Sequence, residues 1–117
     1  MIDITNTKKI YLFSEPIDFR YGILGLSAII TSKFNLKQIE INTLYLFINK
    51  KRNQVKVIEF DKSGIWMYTK RLKEGKFAYP ETQGIHGITK EEFKIIIEGL
   101  DFFKRIEGKE LNKIKLY

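Results

Sequence analysis

Lys50, Lys51 and Arg52 are consecutive cations with no carboxylate until Glu59. At the tip of a turn they could contact successive phosphates of a polyanion, and a charged solvated loop accounts for them equally well. Lys70, Arg71, Lys73 and Lys76 form a second group in which Glu74 is the opposing charge. On an alternating strand Lys70 and Arg71 point to opposite faces, whereas Trp66, Tyr68 and Lys70 share one. An aromatic and cationic face of that kind binds nucleic acid, but a tryptophan between strands is more often core, and Trp66 is read as core. Arg20 stands near an expected helix start, where positive charge is disfavoured and backbone amides already face anions. It either holds a phosphate there or pairs with Asp18 or a distant carboxylate as a clamp.

Metal-assisted phosphoryl chemistry needs several carboxylates around a divalent ion. Asp18, Asp61 and Asp101 are the acidic landmarks. Each has an ordinary structural reading: a helix cap, a turn residue and a residue after a helix end. His86, in Gly84-Ile85-His86-Gly87, reads as a loop residue with no nucleophile beside it. Cysteine is absent and histidine occurs once, which excludes disulfides, thiolate zinc sites, thiol nucleophiles and a histidine-rich metal site. Glycine-rich phosphate loops are also missing. No catalytic residue, metal or cofactor is assigned, and the chain is read as a non-enzyme.

The balance of 21 Lys and Arg against 14 Asp and Glu, +7 over 117 residues, favours polyanionic partners. Surplus lysine as a solubilising surface is the plainer explanation. With 44% hydrophobic residues the chain can bury one core without staples, so residues 1–117 are expected to form one domain. The N-terminus lacks an apolar core of signal-peptide length, and no run approaches the roughly 20 apolar residues of a membrane span. A soluble, cytoplasmic protein with no membrane partner is expected.

The elements that must position these side chains follow from local pattern. Lys9 to Phe13 reads as a strand closed by Ser14-Glu15-Pro16. Asp18 stands where a helix cap would, and Ile23, Leu24, Leu26, Ile29, Ile30 and Phe34 recur at helical spacing, which predicts a helix from about Phe19 to Lys33. Gly22 and Gly25 suggest that another element packs closely on its first turns. Thr43–Asn49 and Gln54–Phe60 read as strands joined by the basic loop. Asp61-Lys62-Ser63-Gly64 has Asp and Gly where a type I turn prefers them. Ile65–Leu72 and Phe77–Tyr79 follow as two more strands, the last stopped by Pro80. Thr89 and Glu92 have capping-box spacing, with Phe93, Ile96, Ile97 and Leu100 on one face of the ensuing helix. The tail from Asp101 to Tyr117 is expected to add a short helix and a strand. The fold expected is α+β: an antiparallel meander sheet of four to five strands with two main helices packed on one face.

Several ordered blocks resemble the small accessory proteins, often called Orf2 or TnpB, of bacterial insertion elements of the IS66 family. Asp18-Phe19-Arg20-Tyr21-Gly22-Ile23-Leu24-Gly25-Leu26 is similar to that family's Asp-x-Arg-x-Gly-x-x-Gly-Leu signature. Leu46 to Asn53 resembles its apolar strand and basic loop, and Val55-Lys56-Val57 the strand that follows. Asp61 to Pro80 resembles its Asp-x-x-Gly turn followed by Tyr-x-Lys-Arg-Leu, Gly, Phe and Pro. Ile88-Thr89 and Gly99-Leu100-Asp101 correspond to the closing helix. The resemblance covers about residues 9–101 and leaves 102–117 as a basic C-terminal extension. Glu59 and Phe60 depart from it, standing where the family often carries an aromatic pair, and the basic loop is poorer in arginine.

The resemblance implies an accessory protein of DNA transposition encoded beside a separate transposase, and it implies no mechanism. From the residues, DNA backbone contact through Arg20, Lys50, Lys51, Arg52, Lys70, Arg71, Lys73 and Lys76 is expected, together with or replaced by contact with the element-encoded transposase. The alternative is a protein-interaction module of the transposition complex with no direct DNA binding.

Overall fold

The computed structural model describes residues 2–15, 17–34, 40–78 and 82–99. Expectations that fall on Pro16, Tyr79, Pro80, Leu100 and 101–117, Asp101 included, lie outside the described residues. Those described form β1 (Lys9–Phe13), α1 (Ile23–Lys33), β2 (Thr43–Ile48), β3 (Gln54–Phe60), β4 (Ile65–Arg71), β5 (Ile85–Ile88) and α2 (Lys90–Glu98). The strands make one sheet in the order β4-β3-β2-β1-β5. The architecture is α+β, and among the described residues no helix is long and apolar enough to cross a membrane.

β2, β3 and β4 pair antiparallel in succession, as a meander requires. The meander stops there. β1 pairs parallel with β2, in the register Lys9↔Thr43 to Phe13↔Phe47, because α1 carries the chain back to the starting end of the sheet before β2 begins. The strand expected at Phe77–Tyr79 is not a strand at Phe77 and Ala78. Phe77 is fully buried, and its amide donates to the Arg52 carbonyl at 2.6 Å. Its ring fills the core, and its backbone ties a loop to a hairpin instead of extending the sheet. The fifth strand is β5, which contains His86 and pairs antiparallel with β1 at the opposite edge.

The helices do not share one face. Leu26 and Ile30 of α1 pack with Phe13, Tyr45, Phe47 and Ile58. Phe93 and Ile96 of α2 pack with Ile10, Leu12, Leu44, Leu46, Val55, Val57 and Phe77. Since neighbouring residues on a strand point to opposite faces, these are the two sides of one sheet. The cause lies in β2, where all six residues of Thr43–Ile48 are buried. A strand apolar at successive positions must be covered on both faces. The α1 side absorbs much of the aromatic content, with Phe13 and Phe47 rings 4.6 Å apart and Phe34 edge-on to Tyr45 at 5.6 Å.

Local signals decide the helix ends. α2 starts with a complete capping box: the Glu92 amide donates to Thr89 Oγ1 at 3.1 Å, and the Thr89 amide donates to Glu92 Oε1 at 2.9 Å. It stops at Gly99, whose φ of 94° suits glycine. α1 begins at Ile23, four residues later than expected, behind Gly22, which supplies no side-chain cap. Asp18 is therefore not its cap. Instead, Asp18 builds a turn before it, accepting from the Arg20 amide on Oδ1 at 2.8 Å and from the Tyr21 amide on its carbonyl at 3.1 Å. A Cβ on Gly22 would meet open space, and one on Gly25 would meet Tyr21 of the preceding turn. Among the described residues no separate element packs on the glycine pair.

Candidate nucleic-acid interface

The β2–β3 hairpin tip is built by Asn49. Its Oδ1 accepts from the amides of Asn53 at 3.0 Å and Gln54 at 2.9 Å, while its Nδ2 donates to Asn53 Oδ1 at 2.7 Å. These bonds hold the turn closed and leave Lys50 and Lys51 exposed at its apex. Arg52 turns back, with φ of 61°. Its Nε and Nη2 donate to the Phe77 carbonyl at 3.1 and 3.0 Å. The loop carrying Lys73 and Lys76 is fastened to the same tip, because the Leu72 amide donates to the Asn53 carbonyl at 2.9 Å and Phe77 to Arg52.

A second segment approaches from the α1 side. Lys56 projects from β3 and donates through Nζ to the carbonyls of Phe19 at 2.8 Å and Tyr21 at 3.1 Å. Its ammonium also lies 5.0 Å from the centre of the Phe19 ring. The residues flanking Arg20 are thus tied to the sheet. Arg20 donates from Nε at 2.8 Å, and from Nη2, to Asp18 Oδ2, and its side chain is 91% exposed. The guanidinium hydrogen bond, then the backbone bond, holds the Asp18 carboxyl below the usual carboxylate range.

Between hairpin and loop lies an open cleft of about 680 Å³ lined by Ile17, Asp18, Phe19, Arg20, Asn49, Lys50, Lys51, Asn53, Gln54 and Arg71. Four cations from three separate stretches of chain line it, and among the described residues Asp18 is the single carboxylate of the lining. Arg71 reaches the cleft because its cross-strand partner is Gln54 at the hairpin base. Lys73 and Lys76 are exposed in the adjoining loop but do not line the cleft. Lys70 is turned to the opposite face, as alternation requires, and donates to the Ile97 carbonyl near the end of α2 at 2.7 Å. It satisfies an end-of-helix carbonyl there.

Sequence reasoning missed Lys56 and Asn49. A lone lysine inside Val55-Lys56-Val57 and an asparagine closing an apolar run were the available signals, since each puts a polar group where the strand must find it a partner.

The remaining candidates have structural partners. Asp61 Oδ1 accepts from the amides of Ser63 and Gly64 at 2.9 and 2.7 Å, so it is the expected turn residue. Its Oδ2 accepts from Trp66 Nε1 at 2.8 Å. Trp66 is not core: it is 56% exposed and stacked on Tyr68, because β4 is an edge strand that α2 covers only toward Lys70. His86 does have a hydroxyl beside it, since Ser14 Oγ lies 3.0 Å from its Nε2. The pair is a tie between strand ends. Ser14 is fully buried, and Nε2 also lies 3.0 Å from the Thr82 carbonyl, so both groups are taken up in closing the ends of the two strands. Among the described residues no three His, Asp or Glu side chains are placed to hold a metal ion.

A family model described as IS66 Orf2 like protein matches residues 8–107. The uncharacterized protein y4jC of Sinorhizobium fredii is 31% identical over 114 residues, spanning 97% of this chain and 96% of its own. The uncharacterized protein y4hO of the same organism is 25% identical over 95 residues, spanning 80% of this chain and 82% of its own. No solved structure matches the chain.

Proposed function

Because the chain belongs to the IS66 Orf2-like protein family, we propose that it is a non-catalytic accessory factor of DNA transposition that holds the nucleic-acid backbone in the cleft at the hairpin end of its sheet. The observation that carries this reading is the convergence of Arg20, Lys50, Lys51 and Arg71 on one cleft, where Asp18 is the single carboxylate among the described residues of the lining. Cations gathered in one cleft displace the counterions condensed on a nucleic-acid backbone, which gives affinity that falls steeply with salt. Lys73 and Lys76 in the adjoining loop extend the same field. Arg52 supports the interface by holding the hairpin to Phe77, and Lys70 belongs to the other face.

The test is fluorescence anisotropy of the protein on element-end and unrelated duplexes across a salt series. The expected result is binding to both, with log affinity falling linearly in log salt. The triple variant Lys50→Glu, Lys51→Glu, Arg71→Glu should lose binding at unchanged thermal stability. Equal binding by that variant would overturn the assignment.

Contact with the element-encoded transposase is the second reading, and the exposed indole of Trp66 favours it, since tryptophan dominates the energetic centres of protein interfaces. Co-purification that survives nuclease treatment and high salt supports it. Co-purification lost on nuclease treatment assigns the association to shared DNA.

A further inference from the structure

Trp66 and Tyr68 lie on the side of β4 away from the basic cleft. Arg71, at the cleft, is five residues further along the strand, roughly 17 Å at strand rise, and points to the opposite face. The two rings are parallel within 17° and their centres are 6.3 Å apart. Each is held by a carboxylate. The Trp66 indole N–H donates to Asp61 Oδ2 at 2.8 Å, and the Tyr68 hydroxyl donates to Glu59 Oε1 at 3.2 Å. Glu59 is also the direct cross-strand neighbour of Trp66. Asp61 is itself fixed by the amides of Ser63 and Gly64, so the indole is anchored and exposed at once. Lys62 is the cation of the same turn.

An exposed aromatic face is electron-rich and attracts a cation, above all a planar guanidinium that can stack on it while its edge reaches a carboxylate. Both parts are present: two stacked rings, and the oxygens of Asp61 and Glu59 at their rim. On a chain of +7, this is a patch of opposite character to the cleft. The carboxylates repel phosphate, which sets the surface against a nucleic acid strand even though its rings could stack bases.

We propose that the Trp66–Tyr68 stack, rimmed by Asp61 and Glu59, is a docking surface for an arginine-bearing polypeptide segment of a partner protein. It deepens the second reading above by naming the chemistry of the partner segment. A factor built this way holds DNA at one end of β4 and a basic protein segment at its other end, on the opposite face, as a bridge would.

Trp66 is the one tryptophan of the chain, so its fluorescence reports on this surface directly. The full chain is titrated at low salt with a short glycine- and serine-based peptide carrying two arginines, with the same peptide carrying neutral citrulline, and with oligothymidylate. Saturable quenching by the arginine peptide is expected, with at least tenfold weaker response to citrulline and at least tenfold loss in the Asp61→Asn, Glu59→Gln double variant, whose fold is checked by circular dichroism. An equal response to citrulline, a response to oligothymidylate without one to the arginine peptide, or no response to any of the three would overturn the proposal. A transposase that co-purifies equally with the wild-type chain and with Trp66→Ala leaves the second reading standing and overturns this surface.

Discussion

The Lys56 ammonium donates to the Phe19 carbonyl at 2.8 Å and lies over the Phe19 ring at 5.0 Å, a double contact between the middle of the sheet and the loop that presents Arg20. With the further bond to the Tyr21 carbonyl, it holds both neighbours of Arg20. The position of that guanidinium at the cleft rim therefore depends on a lysine on another element.

Lys56→Met keeps the aliphatic stem and removes both bonds. Loss of about 1–2 kcal/mol is expected from urea denaturation. DNA affinity should fall by about the same factor as in Arg20→Ala, and Lys56→Arg should restore it. Full affinity in Lys56→Met, measured beside an impaired Arg20→Ala, would show that the loop holds its position without the tie.

Arg52 and its neighbours Lys50 and Lys51 should separate in their effects. Arg52→Ala removes a charged donor from the Phe77 carbonyl and leaves alanine at a φ of 61°. A loss of roughly 1.5–3 kcal/mol is expected. Lys50→Ala and Lys51→Ala, at exposed positions, should stay within about 0.5 kcal/mol of wild type while reducing the salt slope of DNA binding by about one each. Denaturation curves and anisotropy on the same three variants check both halves.

The Tyr45 hydroxyl is buried with no hydrogen-bond partner among the described residues, and burial, with the Tyr11 and Glu40 charges adding to it, pushes its pKa up to about 12. Tyr45→Phe removes a polar group that burial penalises and should be neutral or stabilising by up to about 1–2 kcal/mol at pH 7. The unfolded chain loses this proton near pH 10 and the folded chain near 12, so stability is intact below pH 10 and falls as pH rises from 10 toward 12. Stability measured at pH 7, 10 and 11 should decline less steeply for Tyr45→Phe. Tyr68, also raised by burial and by Glu59, contributes alkaline sensitivity that remains in the variant.

Both ends of α2 should be sensitive to single changes. Thr89→Ala breaks the capping box and should cost about 1 kcal/mol. Gly99→Ala forces a side chain onto φ of 94° and brings its Cβ to 2.9 Å from Leu72 Cδ1. A loss of roughly 1–3 kcal/mol is expected from the backbone conformation, with Leu72 shifting to relieve the contact. Thermal denaturation that leaves either variant at the wild-type midpoint would contradict these local accounts.

Elements whose cause is local were legible in the residues themselves. The Thr89–Glu92 box, the Asp61–Gly64 turn, the β2–β3 hairpin with its basic tip and the end of α1 at Lys33 each depend on groups a few positions apart, and their hydrogen bonds stand where spacing put them. The opposite directions of Lys70 and Arg71 follow from strand alternation in the same way. Two-sided coverage of the sheet was also written in the unbroken apolar run of β2, although an alternating, one-faced sheet was expected. Other features rest on pairings across long stretches of chain, where local pattern is silent. The parallel register of β1 on β2, the place of His86 in an edge strand, the burial of Phe77 beneath Arg52 and the exposure of Trp66 all depend on which strand lies beside which. The cleft is the clearest case. Cations at 20, 50, 51 and 71 share one site because Asn49 closes the hairpin, β4 returns Arg71 to its base and Lys56 fastens the Arg20 loop. The residue types determined the chemistry, and tertiary pairing decided where it is concentrated, because electrostatic binding depends on distance in space rather than along the chain.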